Sequence, residues 1–252
     1  MNGWPYPLWI AHRGAGTLAP ENTLAAFRVG ASFGYRAFEC DVKLSVDGVP
    51  FLLHDDTLQR TTPARGVAGK RPWSDLSRLD AGGWHSRSYA GEPIPSFDAI
   101  AGFVLRNGHA LNIEIKPTPG QEHETGRVVA LGAARLWKGR RLQPLLSSFE
   151  PAALAAAREA APDLPRALLL DKLPGDWFEQ ATGLACAAVV TAYPLMDAPV
   201  VARLHGAGMR ALCYTVNDAA EASRLLRLGI DGLITDAVDR FAPGGAADGL
   251  LD

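Results

Sequence analysis

Cysteine is scarce in this chain. Cys40, Cys186 and Cys213 each sit inside an apolar run, with no metal-ligand spacing between them. An odd count so placed excludes a disulfide framework and a thiolate metal site, and reads as reduced core thiols. Long hydrophobic runs are also missing. No apolar stretch approaches the roughly 20 residues that span a bilayer, and Met1 to Trp9 lack the basic start and apolar run of a secretory signal. Neither sign of charge dominates: 25 basic side chains face 27 acidic ones, for a net charge of −2. No general pull toward nucleic acid or an anionic membrane follows. The largest basic run, Lys138-Gly139-Arg140-Arg141, is short and reads as a solvated helix end. A cytoplasmic protein with no nucleic acid partner and no membrane span is expected.

Apolar residues are plentiful, at 48%, against 21% charged, and 252 residues suit one barrel-sized domain. Short β-branched or apolar runs alternate with helical periodicity. Strands are expected at Trp9–Gly14, Ala37–Leu44, Leu111–Lys116, Pro144–Phe149, Arg166–Leu170, Ala187–Tyr193, Arg210–Val216 and Gly232–Asp236. Helices are expected at Asn22–Phe33, Ser96–Arg106, Glu122–Trp137, Pro151–Ala160, Asp176–Gly183, Asp197–Gly206 and Asp218–Leu228. Asp218 with Glu221 has the spacing of a capping box, and Gly229 suits the helix stop. Eight such units favour a closed (β/α)₈ TIM barrel. The open doubly wound alternative is weakened by the lack of a Gly-x-Gly-x-x-Gly turn after the first strand. Asp55 to Pro95 breaks the rhythm, apart from a helical turn near Asp75–Leu79, and reads as a functional insertion over one barrel mouth after the second strand. Ala242 to Asp252, with Gly-Gly and Ala-Ala pairs, reads as a frayed tail.

The chemistry starts at Glu39-Cys40-Asp41. Residues two apart on a strand share a face, so both carboxylates project together and Cys40 turns away. Like charges held side by side call for a cation. Asp47-Gly48 then signals a two-residue type I′ hairpin. In that register partner numbers sum to 95, which sets His54 opposite Asp41 in a non-hydrogen-bonded pair, Cα atoms about 4.5 Å apart. The same register spares Pro50 a ladder bond. Glu114 and Lys116 repeat the period of two on the third strand. A third carboxylate makes an all-oxygen site for a hard cation, Mg²⁺, Ca²⁺ or Mn²⁺, rather than zinc. The first strand ends in His12-Arg13-Gly14-Ala15-Gly16, a titratable group and a fixed cation beside glycines. All of these converge on the carboxyl-terminal mouth, where barrel enzymes place their sites. Three carboxylates and one divalent cation leave about −1, and Arg13 with Lys116 brings the site to about +1, matched to a monoanionic phosphodiester. Two flanking histidines can supply acid and base.

In this order and spacing, His12-Arg13-Gly14, Pro20-Glu21-Asn22-Thr23, Glu39-x-Asp41, His54-Asp55, Glu114-x-Lys116, Thr215-Val216-Asn217 and Asp231-Gly232-Leu233-Ile234-Thr235-Asp236 resemble the bacterial glycerophosphodiester phosphodiesterase family along almost the whole chain. The resemblance implies a divalent metal held by Glu39, Asp41 and Glu114, with His12 and His54 as the acid–base pair. Glu21 would be an extra contact near the metal, and Pro20–Thr23 would support the first-strand loop and cap the next helix. The insertion would form a small cap at the mouth. Tyr214 stands where the family commonly has Trp, in the glycerol pocket, and Ala237 where it commonly has Pro. Arg13, Lys116 and Tyr214 are expected to contact substrate, and Arg13 and Lys116 to stabilise charge on the phosphate.

The expected reaction is hydrolysis of a glycerophosphodiester to sn-glycerol 3-phosphate and an alcohol through a cyclic glycerol phosphate, with His12 as first acid and His54 as first base. The expected partner is this small molecule alone, in a monomer or homodimer. A phospholipase D-like or lysophospholipase-type enzyme would need an apolar mouth, for which Trp73, Trp84 and Tyr89 are too scattered. A non-catalytic phosphate-binding barrel would need no acid–base pair, and the clustered oxygen ligands disfavour a sugar-phosphate isomerase. His85, His109, His123 and His205 show no partners in sequence and read as surface or supporting residues.

Overall fold

The computed structural model describes residues 4–241 and 243. Eight parallel strands alternate with helices: β1 (Trp9–Ala11), β2 (Ala37–Leu44), β4 (Ala110–Ile115), β5 (Leu145–Ser148), β6 (Arg166–Leu170), β7 (Ala188–Ala192), β8 (Arg210–Tyr214) and β9 (Gly232–Thr235). A short antiparallel strand, β3 (Pro50–Leu52), flanks β2. Neighbours run in the order β1-β9-β8-β7-β6-β5-β4-β2, and pairing of Ala11 with Phe38 joins β1 to β2 and closes the barrel. The helices are α1 (Leu24–Ser32), α2 (Trp73–Leu76), α3 (Phe97–Asn107), α4 (Glu122–Leu136), α5 (Pro151–Ala160), α6 (Trp177–Gly183), α7 (Ala198–Gly206) and α8 (Ala219–Arg227).

Closure follows from strands that are apolar on both faces. Ile10, Ala37, Ala110, Leu145, Leu169, Val190, Leu212 and Ile234 fill the barrel interior. The alternate residues, Cys40 among them, join a second core against the helices. The helix starts are capped as their residue types predict. Thr23, Ser96, Asp197 and Asp218 each accept a backbone N–H from the first turn. The expected first strand is too long by three residues: after Ala11 the chain turns, with Arg13 at φ 50°. The helical turn expected at Asp75–Leu79 lies earlier, in α2. The expected tail falls outside the described residues except for Pro243.

The hairpin between β2 and β3 departs from the two-residue turn. Val42 pairs with Leu52, Lys43 with Phe51 and Leu44 with Pro50, so partner numbers sum to 94. Ser45 N donates to Val49 O and Gly48 N to Ser45 O, leaving a three-residue loop. Gly48 sits at φ 78°, the left-handed residue that this loop requires. Leu53, not His54, therefore lies opposite Asp41, and its N–H donates to Asp41 O. Pro50 still occupies a position where no ladder bond is lost. His54 reaches the barrel mouth because the chain has already left the strand after Leu52.

The insertion carries its own small core of Leu53, Leu58, Leu76 and Ile94 around Phe51. It is fastened to the barrel by Leu52 N donating to Pro95 O, Ala25 N to Glu92 Oε1 at 3.0 Å, and His85 Nε2 to Thr17 O at 3.0 Å. These contacts hold it beside the first-strand loop.

Candidate active site

The loop after β1 is built by close backbone approach. Gly30 in α1 lies so near the loop that a Cβ there would fall 2.1 Å from Gly14 O. Asn22 N donates to Arg13 O, and the Asn22 side chain grips Asp41 twice, donating to Oδ2 at 2.7 Å and accepting from the Asp41 N–H at 3.1 Å. Thr23 donates to Pro20 O and caps α1. The segment 20–23 thus braces the loop against β2, as the family resemblance implies.

Glu39 and Asp41 on β2 and Glu114 on β4 are buried, and one oxygen from each lies within 4.8 Å of the others. Asp41 pairs with Glu114 in the ladder, so the parallel register itself assembles the trio. Burial and the charges of Asp41 and Glu114 hold Glu39 well above the usual carboxylate range. Burial and Asp41 push Glu114 up to about 7 against the pull of Lys116. Burial opposes ionisation of Asp41 as well, yet Arg13, Lys116 and His54 together hold its pKa below the ordinary value. Asp41 Oδ1 is buried without a hydrogen bond, 3.6 Å from Lys116 Nζ. An orphaned carboxylate oxygen at the centre of three clustered acids fits a hard divalent cation bound by Glu39, Asp41 and Glu114.

Two histidines flank the acids. His12 Nδ1 lies 2.6 Å from Asp236 Oδ1, and His54 Nδ1 lies 2.7 Å from Asp55 Oδ1. Both carboxylates are held below their ordinary pKa: Asp236 by its bonds to His12 and Asn217 against the effect of burial, Asp55 by Arg60 and then His54. Ionised, they only accept, so each Nδ1 carries a proton and each Nε2 is left for chemistry. Burial lowers the pKa of His54. Arg13 Nη1 donates to Glu21 at 2.9 Å, with Nε 3.3 Å from Asp41, and Lys116 Nζ donates to Glu114 at 2.8 Å.

These groups line a cavity of about 170 Å³ that takes in His12, Arg13, Glu39, His54, Glu114 and Lys116. Phe149 and Tyr214 form an aromatic wall, edge to face at 5.7 Å. The Tyr214 hydroxyl donates to Leu170 O at 3.2 Å, so the ring rather than the hydroxyl serves as the wall. Asn112 also lines the cavity, 4% exposed, with both amide atoms buried and unpartnered. A donor and an acceptor are thereby offered to a polyhydroxyl ligand or to water.

Glu21 departs from the expected contact near the metal. It is not in the acid trio and is instead clamped by Arg13 and, at 2.6 and 2.7 Å, by Arg60. Arg60 also grips Asp55, linking the insertion to the carboxylate behind His54. Arg60, Asp236, Asn217 and Asn112 received no role from sequence. Asn112 and Lys43 had a signal, because they continue the period of two through Glu114 and Asp41. Lys43 is fully buried and donates to Asp56 at 2.7 Å, tying the start of the insertion to β2. Of the histidines that seemed unpartnered, His205 lies 2.7 Å from Asp231, while His109 is buried against Phe38 and Phe103.

A closed barrel that gathers acids, paired bases and fixed cations at its carboxyl-terminal mouth belongs with the phosphate-ester hydrolases. More narrowly, the chain belongs to the glycerophosphoryl diester phosphodiesterase family, whose model matches residues 12–240. A glycerophosphodiester phosphodiesterase of Caldanaerobacter subterraneus is 29% identical over 233 residues, covering 91% of this chain and 93% of that protein. One of Bacillus subtilis is 28% identical over 252 residues, covering 93% of this chain and 85% of that protein. Among solved structures, an Oleispira antarctica phosphodiesterase in complex with the product sn-glycerol-3-phosphate superposes with a TM-score of 0.87 at 34% identity, over 93% of this chain and 95% of that one. Among the described residues no helix is long and apolar enough to cross a membrane.

Proposed function

We propose that the protein hydrolyses glycerophosphodiesters to sn-glycerol 3-phosphate and an alcohol by histidine acid–base catalysis, with a divalent cation bound. The observation that carries this reading is the placement of two histidines, each backed at Nδ1 by a carboxylate, in one cavity with Glu39 and Glu114 of the acid trio. Glu39, Asp41 and Glu114 would hold Mg²⁺, Ca²⁺ or Mn²⁺, which would supply positive charge against the phosphate oxygens. Arg13 and Lys116 add fixed positive charge at the same place and orient the diester. His54 Nε2 takes the proton of a glycerol hydroxyl, whose oxygen attacks phosphorus. His12 Nε2 protonates the departing alcohol. Water then opens the cyclic glycerol phosphate with the two histidines in exchanged roles. Asp236 and Asp55 fix the ring orientations throughout. Buried reduced thiols and a substrate that dissolves in water suit action in the cytoplasm.

The test is a coupled assay for glycerol 3-phosphate release from glycerophosphocholine, with and without chelator. His12→Gln and His54→Gln should each lower kcat by about 10²–10⁴ while leaving cation binding intact. Product formed equally well in chelator would remove the cation, and near-normal turnover in both variants would remove the histidines.

A further inference from the structure

A second cavity, of about 460 Å³, adjoins the first and shares two of its residues, His12 and Arg13. Its remaining wall includes Glu21, Asp236, Trp84 and His85. Three elements build it: the loop after β1, the end of β9 with Asp236, and the insertion, which is pinned there by His85 Nε2 donating to Thr17 O at 3.0 Å. Trp84 is 43% exposed, one of few large apolar side chains left so open. It is nonetheless held in place, because Nε1 donates to Ala81 O at 2.8 Å and the His85 ring packs edge to face at 5.7 Å. An ordered indole with its ring toward solvent, in a cavity that contains a proposed catalytic residue, is a surface prepared for a ligand.

Resting on the function proposed above, we infer that this second cavity is the subsite for the departing alcohol, that it favours cationic amino alcohols of the choline or ethanolamine type, and that Trp84 sets this preference. Size and connection argue for the assignment. The inner cavity of about 170 Å³ is close to one that just admits benzene, about 150 Å³, so it holds a three-carbon glycerol unit and little more. A phosphate at Arg13 stands where the two cavities meet, and its second ester arm then extends into the larger one. His12 lines both cavities whereas His54 lines the inner one. That placement makes His12 the group beside the departing oxygen. Aromatic character selects the alcohol. The Glu21 carboxylate is already held by Arg13 and Arg60, and that of Asp236 by His12 and Asn217, which leaves the exposed indole face of Trp84 as the group in this wall that attracts a quaternary ammonium.

The experiment measures KM and kcat of the full chain, with divalent cation present, on three substrates: glycerophosphocholine, a glycerophosphodiester with an uncharged alcohol such as glycerol, and cyclic glycerol phosphate, which has no departing alcohol. Trp84→Leu should raise KM for glycerophosphocholine by roughly three- to tenfold, leaving the other two substrates within about twofold of the unmodified protein. Trp84→Phe, which keeps an aromatic face, should recover part of the loss and guards against a folding defect in the first variant. Unchanged KM for glycerophosphocholine in Trp84→Leu, or an equal rise on all three substrates, overturns the subsite. Failure of the unmodified protein on every glycerophosphodiester defeats the proposed function and the subsite with it. Normal turnover that ignores Trp84 defeats the subsite alone.

Discussion

Stripping divalent cations from the protein and restoring them should move its melting temperature by several degrees. Oxygens of Glu39, Asp41 and Glu114 lie within 4.8 Å of one another, and at an effective dielectric of about 20 each fully ionised pair repels by about 3.5 kcal/mol. The metal-free protein relieves this strain by retaining protons, as the raised Glu39 and Glu114 indicate. A cation bound only by the folded state, at about a hundred times its Kd, adds about 2.7 kcal/mol. For a chain of this size about 2–4 °C accompanies each kcal/mol, so the expected rise is about 5–11 °C. Scanning calorimetry in EDTA, then in millimolar Mg²⁺, Ca²⁺ or Mn²⁺, reads the shift directly and also ranks the ions. Glu114→Gln removes one charged ligand at nearly constant volume. Its metal-free melting point should equal or exceed that of the unmodified protein, since Lys116 keeps Asp41 at 3.6 Å, and its response to cation should fall below about 2 °C. If no cation moves the native melting point, or if Glu114→Gln responds in full, the metal reading is wrong.

Other outcomes follow from single contacts. Asp236→Asn weakens a charge-assisted bond of 2.6 Å to His12, worth about 1.5–3 kcal/mol. Steady-state kinetics should show kcat lower by about 10- to 150-fold with little change in KM, and an unaltered kcat would remove Asp236 as the residue that orients His12. Gly30→Ala drives a methyl group to 2.1 Å from Gly14 O. A cost of about 1–3 kcal/mol should lower the melting point by about 2–12 °C, and an unshifted transition would mean that α1 does not hold the loop so closely. Burial pushes Cys186 up to about 11 and Cys213 up to about 12, and Cys40 well above its ordinary value. At pH 8 the thiolate fraction is then about 10⁻³ or less. A disulfide reagent should titrate none of the three in the native protein and all three in denaturant, whereas fast native labelling would contradict the core placement.

What the residues determined alone is what backbone periodicity controls. Side chains two apart on a strand share a face whatever surrounds them, so Glu39 with Asp41 and Glu114 with Lys116 were legible as inward pairs. Ser96, Asp197 and Asp218 marked helix starts because a short polar side chain can cap only the backbone next to it. Tertiary structure decided the rest. Asp47-Gly48 is compatible with a two-residue or a three-residue hairpin loop. The longer loop is held by Ser45 Oγ accepting from Val49 N at 2.9 Å, and by Asp47 Oδ1 accepting from Trp73 N of the insertion at 2.9 Å. Asp236 meets His12 across 224 positions of sequence only because β9 closes onto β1. Arg60 reaches Glu21 only because the insertion folds back over the first-strand loop. Local spacing sets which way a side chain points, but the partner it finds depends on closure of the barrel, and no window of sequence shorter than the barrel contains that information.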